Sequence, residues 1–163
     1  MEILFNTYYR QGRWIAHRVK EGDMEAIRLA AERMAPLVPE GSALVPIPSR
    51  LGYATATLLL AEEISRLTGA PVADILKGES RASNYESKKQ GHPLKVEDLG
   101  FRKVGDTDLT PCFVDNVCDT GVTMASAFLA LKRGVGLVFA MTKNGRRLGD
   151  AQIGQKEREP ATA

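Results

Sequence analysis

The chain has 163 residues, 44% of them hydrophobic and 26% charged, with a formal net charge of +2. That length suits one domain able to bury a core without disulfides or metals, and so small a net charge gives no ground for a nucleic-acid or membrane partner. With two cysteines and two histidines, and neither Cys-x-x-Cys nor His-x-x-x-His spacing, a protein-built zinc site is not expected.

The start, Met1-Glu2-Ile3-Leu4-Phe5-Asn6-Thr7, has neither the basic region nor the long apolar stretch of a secretory signal. No run reaches the apolar length of a membrane span, so the expected location is the cytoplasm. The first forty residues read as helical. Met24, Ile27, Ala30, Ala31, Met34 and Leu37 share one face, Asp23 is placed to cap it, and Pro36 and Pro39 end it. Upstream, Tyr8, Tyr9 and Trp14 among Arg10, Arg13 and Arg18 fit the surface of a helix better than a ligand site, with stacking on a base as the alternative.

Residues 43–48, Ala-Leu-Val-Pro-Ile-Pro, form a short apolar strand whose prolines restrict its pairing. Ser49, Arg50, Leu51 and Gly52 make a loop. A helix over 53–67 follows, with Tyr53, Ala56, Leu59, Leu60, Ile64 and Leu67 on its buried side. Thr68-Gly69-Ala70-Pro71 stops it and 72–76 reads as the next strand, so the unit is a parallel, right-handed crossover. From Lys77 to about Phe101 periodicity fails. So long a polar stretch inside a domain is either a lid or binding loop, or in part a surface hairpin.

Next, an apolar strand over 111–118 runs into Asp115 and Asn116, and the short loop Asp119-Thr120-Gly121 opens an amphipathic helix. Its stripe is Met124, Ala127, Phe128 and Leu131. A helix start leaves N–H groups unpaired and carries partial positive charge, so this geometry cradles an anion such as phosphate. Gly121 permits close backbone approach, and Thr120 and Thr123 can donate hydroxyls. Cys112 and Cys118 flank the strand, too far apart in an extended chain to bridge, and serve as apolar filler. A last strand covers 135–141, and the polar tail 150–163 is expected to be disordered. The whole reads as an α/β fold of three layers: a central, mostly parallel sheet of about five strands with helices on both faces, plus an N-terminal helical segment. Residues 1–149 make one domain, of which 1–40 are a helical extension.

The run Phe113-Val114-Asp115-Asn116-Val117-Cys118-Asp119-Thr120-Gly121-Val122-Thr123 resembles the signature with which type I phosphoribosyltransferases bind phosphoribosyl pyrophosphate (PRPP). Val45-Pro46-Ile47-Pro48-Ser49-Arg50 resembles the Val-Pro-Val-Pro strand of the ComF-like branch of that family. The resemblance runs from about Ala43 to Lys143. It implies transfer of ribose 5-phosphate from PRPP to a nitrogenous base, such as a purine, with release of pyrophosphate and with Mg²⁺ as cofactor. By position, Asp115 and Asn116 would hold the ribose hydroxyls, with Mg²⁺ bridging them to the pyrophosphate. Asp119, Thr120, Gly121, Val122 and Thr123 would bind the 5′-phosphate. Ser49, Arg50, Leu51 and Gly52 would form the pyrophosphate loop, and Arg81, Lys88 and Lys89 would close over the leaving group. Asp119 would be the general base, with Asp115 as the second catalytic carboxylate. Lys143 resembles the base-binding lysine of 6-oxopurine enzymes, although a strand-end lysine also serves solvation. The base-selecting hood would come from residues 1–40, from the stretch after Lys143, or from both. The family often dimerises, so a homodimer is expected, and neither a specific nucleic acid nor a membrane is.

Asn116 departs from the signature, which has two adjacent acidic residues. An amide loses a negative charge and gains a donor, so Asn116→Asp is expected to raise turnover. The alternative function is a catalytically weak PRPP- or nucleotide-binding regulator, or a ComF-like accessory protein. Two rivals fall away. The aspartic-protease pattern at 117–121 belongs to a nearly all-β fold, and no Gly-x-Gly-x-x-Gly follows a strand. No helix-turn-helix is evident either.

Overall fold

The computed structural model describes residues 1–145 and 155–157. In chain order, β1 (Ile3–Tyr8) leads directly into α1 (Tyr9–Lys20), followed by α2 (Met24–Met34) and a 3₁₀ turn (Ala35–Leu37). Then come β2 (Ser42–Pro46), α3 (Ala56–Thr68), β3 (Leu76–Lys77), α4 (Asn84–Lys89), α5 (Val96–Leu99) and β4 (Arg102–Lys103). Finally come β5 (Thr110–Cys118), α6 (Val122–Leu131), β6 (Val135–Met141) and β7 (Gln155–Glu157). The sheet runs β2-β5-β6-β1-β7 with every neighbour parallel: four central strands, and the short β7 beside β1.

Alternation along the strands sends side chains to two separate cores. Leu4, Cys112, Val114, Leu137 and Phe139 face α1, α2 and α3, whereas Ile3, Phe5, Phe113 and Val138 face the opposite side and pack on Met124 and Ala127 of α6. Strands buried on both faces read as continuous apolar runs, as 135–141 does. The layered α/β reading therefore holds. On α2, Asp23 Oδ1 accepts from the N–H groups of Glu25 and Ala26 at 3.0 and 3.2 Å, and Ala26, Ile27, Ala30, Ala31 and Met34 are buried.

Several expectations change. Residues 3–8 are not helical but an inner strand, because Ile3-Leu4-Phe5 is a run too short for periodicity to type. Residues 3–34 are accordingly built into the sheet and one helical layer, not appended as an extension. On α3 the buried face is Leu60, Ala61 and Ile64; Tyr53, Leu59 and Leu67 are exposed. The expected strand at 72–76 shrinks to a parallel bridge between Val72 and Leu44. There the Ile75 N–H turns back to the Ala73 carbonyl at 3.0 Å, a γ-type turn that ends the pairing. The polar stretch 77–101 is not structureless. Its base is an antiparallel pair, Leu76 with Lys103 and Lys77 with Arg102, and its far end carries the short helices α4 and α5. Of the expected disordered tail, Gln155–Glu157 pair with β1, and the rest lies outside the described residues.

Candidate functional site

A wholly parallel sheet opens all its carboxyl ends on one edge, where ligands of open α/β folds bind. At that edge the loop after β2, the β5–α6 loop, one face of α1, Thr142 after β6, and α4 enclose a cavity of about 730 Å³.

Its floor is the β5–α6 loop. Gly121 takes φ +81° as the residue before α6, a conformation that favours glycine. No side chain caps the helix there. The Val122 N–H makes a long hydrogen bond to Thr120 Oγ1 at 3.4 Å, so the donors of the helix start are weakly engaged. Thr120, Gly121 and Thr123 line the cavity beside it.

One wall is the loop of Ser49, Arg50, Leu51 and Gly52. It is folded by hydrogen bonds from the Gly52 N–H to the Ser49 carbonyl and from the Ser49 N–H to the Tyr53 carbonyl, both 2.9 Å. Gly52 sits at φ +93°, and a Cβ on it would lie 2.5 Å from the Gly78 carbonyl oxygen, so no larger residue fits. Arg81 ties the far segment to this loop: its N–H donates to the Arg50 carbonyl at 2.8 Å and its guanidinium to the Ser49 carbonyl at 3.2 Å. Its Nε is buried without a partner. Burial lowers the Arg81 pKa, and Asp115 works against that shift.

Asp115 is half-buried at the end of β5. Burial pushes its carboxyl up to about 6, against the pull of the Asn116 N–H at 2.7 Å, of Arg81 and of Lys20. Asn116 also borders the cavity, but its Nδ2 donates to the Ala16 carbonyl of α1 at 2.6 Å, and its Oδ1 is buried with no partner. Asp119 forms an ion pair with Lys88 of α4 and accepts from Thr142 Oγ1 at 3.0 Å. Cys118 remains a thiol: burial, with Asp115 and Asp119 nearby, pushes it up to about 12.

Of the residues expected from sequence, Ser49, Arg50, Leu51, Arg81, Lys88, Asp115, Asn116, Asp119, Thr120, Gly121 and Thr123 are brought to this one cavity. Gly52 and Val122 support it from behind, and Lys89 and Lys143 are exposed outside its lining. Four lining residues come from α1: Tyr9, Ala16, His17 and Lys20, with Tyr9 Oη and His17 Nε2 sharing a hydrogen bond at 3.0 Å. Their spacing places them on one helical face, a signal present in the sequence. From α4 and its approach come Ser83 and Tyr85, and from the end of β6 comes Thr142. Basic Lys20, Arg50, Arg81 and Lys88 outnumber acidic Asp115 and Asp119, so the cavity suits a polyanion.

Fold and site define the class as an open α/β protein with a cavity of predominantly basic charged lining at the carboxyl edge of its sheet. No family model matches the chain, and no curated protein matches it. Among solved structures, UMP synthase of Leishmania donovani is similar, with a TM-score of 0.45 and 14% sequence identity. The match covers 82% of this chain and 26% of that one, so the chain spans about a quarter of that protein's length. No described helix is long and apolar enough to cross a membrane.

Proposed function

We propose that the chain is a phosphoribosyltransferase that transfers the ribose 5-phosphate of PRPP to a nitrogenous base, with a ComF-like ancestry. The observation that carries this reading is the convergence of an open helix start, a glycine-tight loop and four basic side chains on one cavity with Asp115 in its wall. The 5′-phosphate takes the open N–H groups before α6 and the hydroxyls of Thr120 and Thr123. Asp115 accepts from the ribose hydroxyls. Arg50, Arg81 and Lys88 receive the pyrophosphate.

In the reaction the bond from the anomeric carbon to pyrophosphate breaks with the electron pair leaving on oxygen. A bond from that carbon to the acceptor nitrogen forms, and Asp119 takes the nitrogen's proton. The carbon is oxocarbenium-like between the two events, so a carboxylate close by lowers the barrier. Asp119 is held for proton transfer by Thr142 and becomes free when Lys88 moves to the substrate. α1, with Tyr9, His17 and Lys20, forms the acceptor wall.

Among the described residues no group of three His, Cys, Asp or Glu side chains could hold a metal. A lone carboxylate such as Asp115 fits an ion that arrives with PRPP oxygens. Mg²⁺ bound there would neutralise charge on the pyrophosphate.

Calorimetric titration with PRPP and Mg²⁺, followed by a pyrophosphate-release screen over purine and pyrimidine bases, tests the proposal. Binding with turnover is expected, and absence of PRPP binding overturns it. The second reading, a PRPP-binding regulator or accessory protein, is favoured by Asn116, which leaves one carboxylate where the signature has two. Binding without turnover on any base selects it.

A further inference from the structure

We infer that Asn116 is a positioning residue that fixes α1 against the strand carrying Asp115, and is not a ligand of the ribose. The tether stands on geometry alone; only the statement about ribose rests on the proposed function. The Nδ2 of Asn116 is spent on the Ala16 carbonyl at 2.6 Å, a bond between residues 100 positions apart. Its Oδ1 is withdrawn from solvent and meets no donor. Neither amide atom is presented to a ligand. Asp115, one residue earlier, is the polar group of the pair on which Arg81 and Lys20 act.

The chemistry explains why an amide stands here. Facing a backbone carbonyl, the residue must donate. An ionised aspartate at 116 would set an anionic oxygen against the Ala16 oxygen, with no proton between them. The departure from two adjacent acids is therefore a consequence of how close α1 comes, and a second acid is incompatible with that approach. What the tether holds in place is a face of α1, since Ala16 lies between Tyr9 and Lys20 on the cavity wall. This reverses the expectation that Asn116→Asp raises turnover.

The test uses the full chain as wild type, Asn116→Asp and Asn116→Ala, followed by amide hydrogen exchange and by calorimetry with PRPP and Mg²⁺. Leaving the Ala16 carbonyl without its donor is expected to lower protection over α1 by about tenfold in both variants, with α2 and α6 within about twofold of wild type. Asn116→Asp is expected not to tighten PRPP binding, and Asn116→Ala is expected to weaken it by no more than about threefold, because no ribose contact is lost. Unchanged α1 protection in Asn116→Ala overturns the inference, as does tighter PRPP binding by Asn116→Asp. If Asn116→Asp does not fold, the alanine variant decides. If wild type binds no PRPP, the proposed function falls while α1 protection still judges the tether.

Discussion

Two helices line the cavity and are held in opposite ways. α1 is a wall: Ala16 and Val19 are buried in the core, Gly12 lies against Thr7 and Phe139, and Asn116 binds its backbone. α4 is held more lightly: its capping box of Ser83 and Glu86 sustains it locally, Lys88 pairs with Asp119, and Tyr85 is 74% exposed. Rigid packing on one side and a replaceable ion pair on the other suit the proposed reaction, which needs a fixed acceptor surface and the entry and exit of an anion.

The contrast breaks most severely at the wall. Phe139→Ala removes a fully buried ring beneath α1 and should cost about 3–5 kcal/mol in urea unfolding. A loss below about 1 kcal/mol would mean that α1 is not anchored there. Next comes Asp115, between the two. Its folded pKa of about 6 lies above the ordinary 3.8, so the folded chain takes up its proton more readily than the unfolded one. Stability should therefore fall as pH rises from about 4 to about 6 and level off above, while PRPP affinity weakens below about 6 as the carboxylate protonates. Asp115→Asn should remove that slope and raise stability at neutral pH by at most ~3 kcal/mol while abolishing PRPP binding. A slope that persists in this variant would assign the titration elsewhere.

Gly12→Ala sharpens the comparison more finely. The added Cβ would lie 2.5 Å from Thr7 Cγ2, and overpacking of about 1–3 kcal/mol should exceed the gain of up to ~1 kcal/mol in helix propensity. Thermal unfolding above the wild-type midpoint would show that the wall yields. The smallest effect on stability belongs to α4. Lys88→Met should change it by less than ~1 kcal/mol, since both partners are partly exposed, yet weaken PRPP binding and speed proteolysis within α4. Unaltered PRPP affinity would remove Lys88 from the site.

The same contrast governs what could be read from sequence. The cradle was legible because Asp115 to Thr123 are contiguous and one strand-loop-helix makes the geometry. β2, β6 and the buried face of α2 were legible from their apolar patterns. β1 was not, since three apolar residues type neither strand nor helix, and an inner strand needs partners 133 residues away to declare itself. α4 was not read, because its Ser83-x-x-Glu86 capping pattern lay in a polar stretch without periodicity. The wall was the least legible part of the site. Tyr9, Ala16 and Lys20 share a helical face, but nothing local says that this face looks at Asn116.

The contact between Gly52 and Gly78 has a consequence for how the chain can vary. The Gly78 N–H donates to the Gly52 carbonyl at 2.9 Å, the Glu79 N–H to the Leu99 carbonyl at 2.9 Å, and the Arg81 N–H to the Arg50 carbonyl at 2.8 Å. These bonds form a clasp whose length is fixed, so a residue inserted within 78–81 would shift the register of two loops at once. Beyond it the constraint lapses. Lengthening the turn at 90–94 adds only loop-closure entropy, about 0.6 kcal/mol per doubling. The molecule thus marks where the cavity edge ends and where sequence length is free to drift.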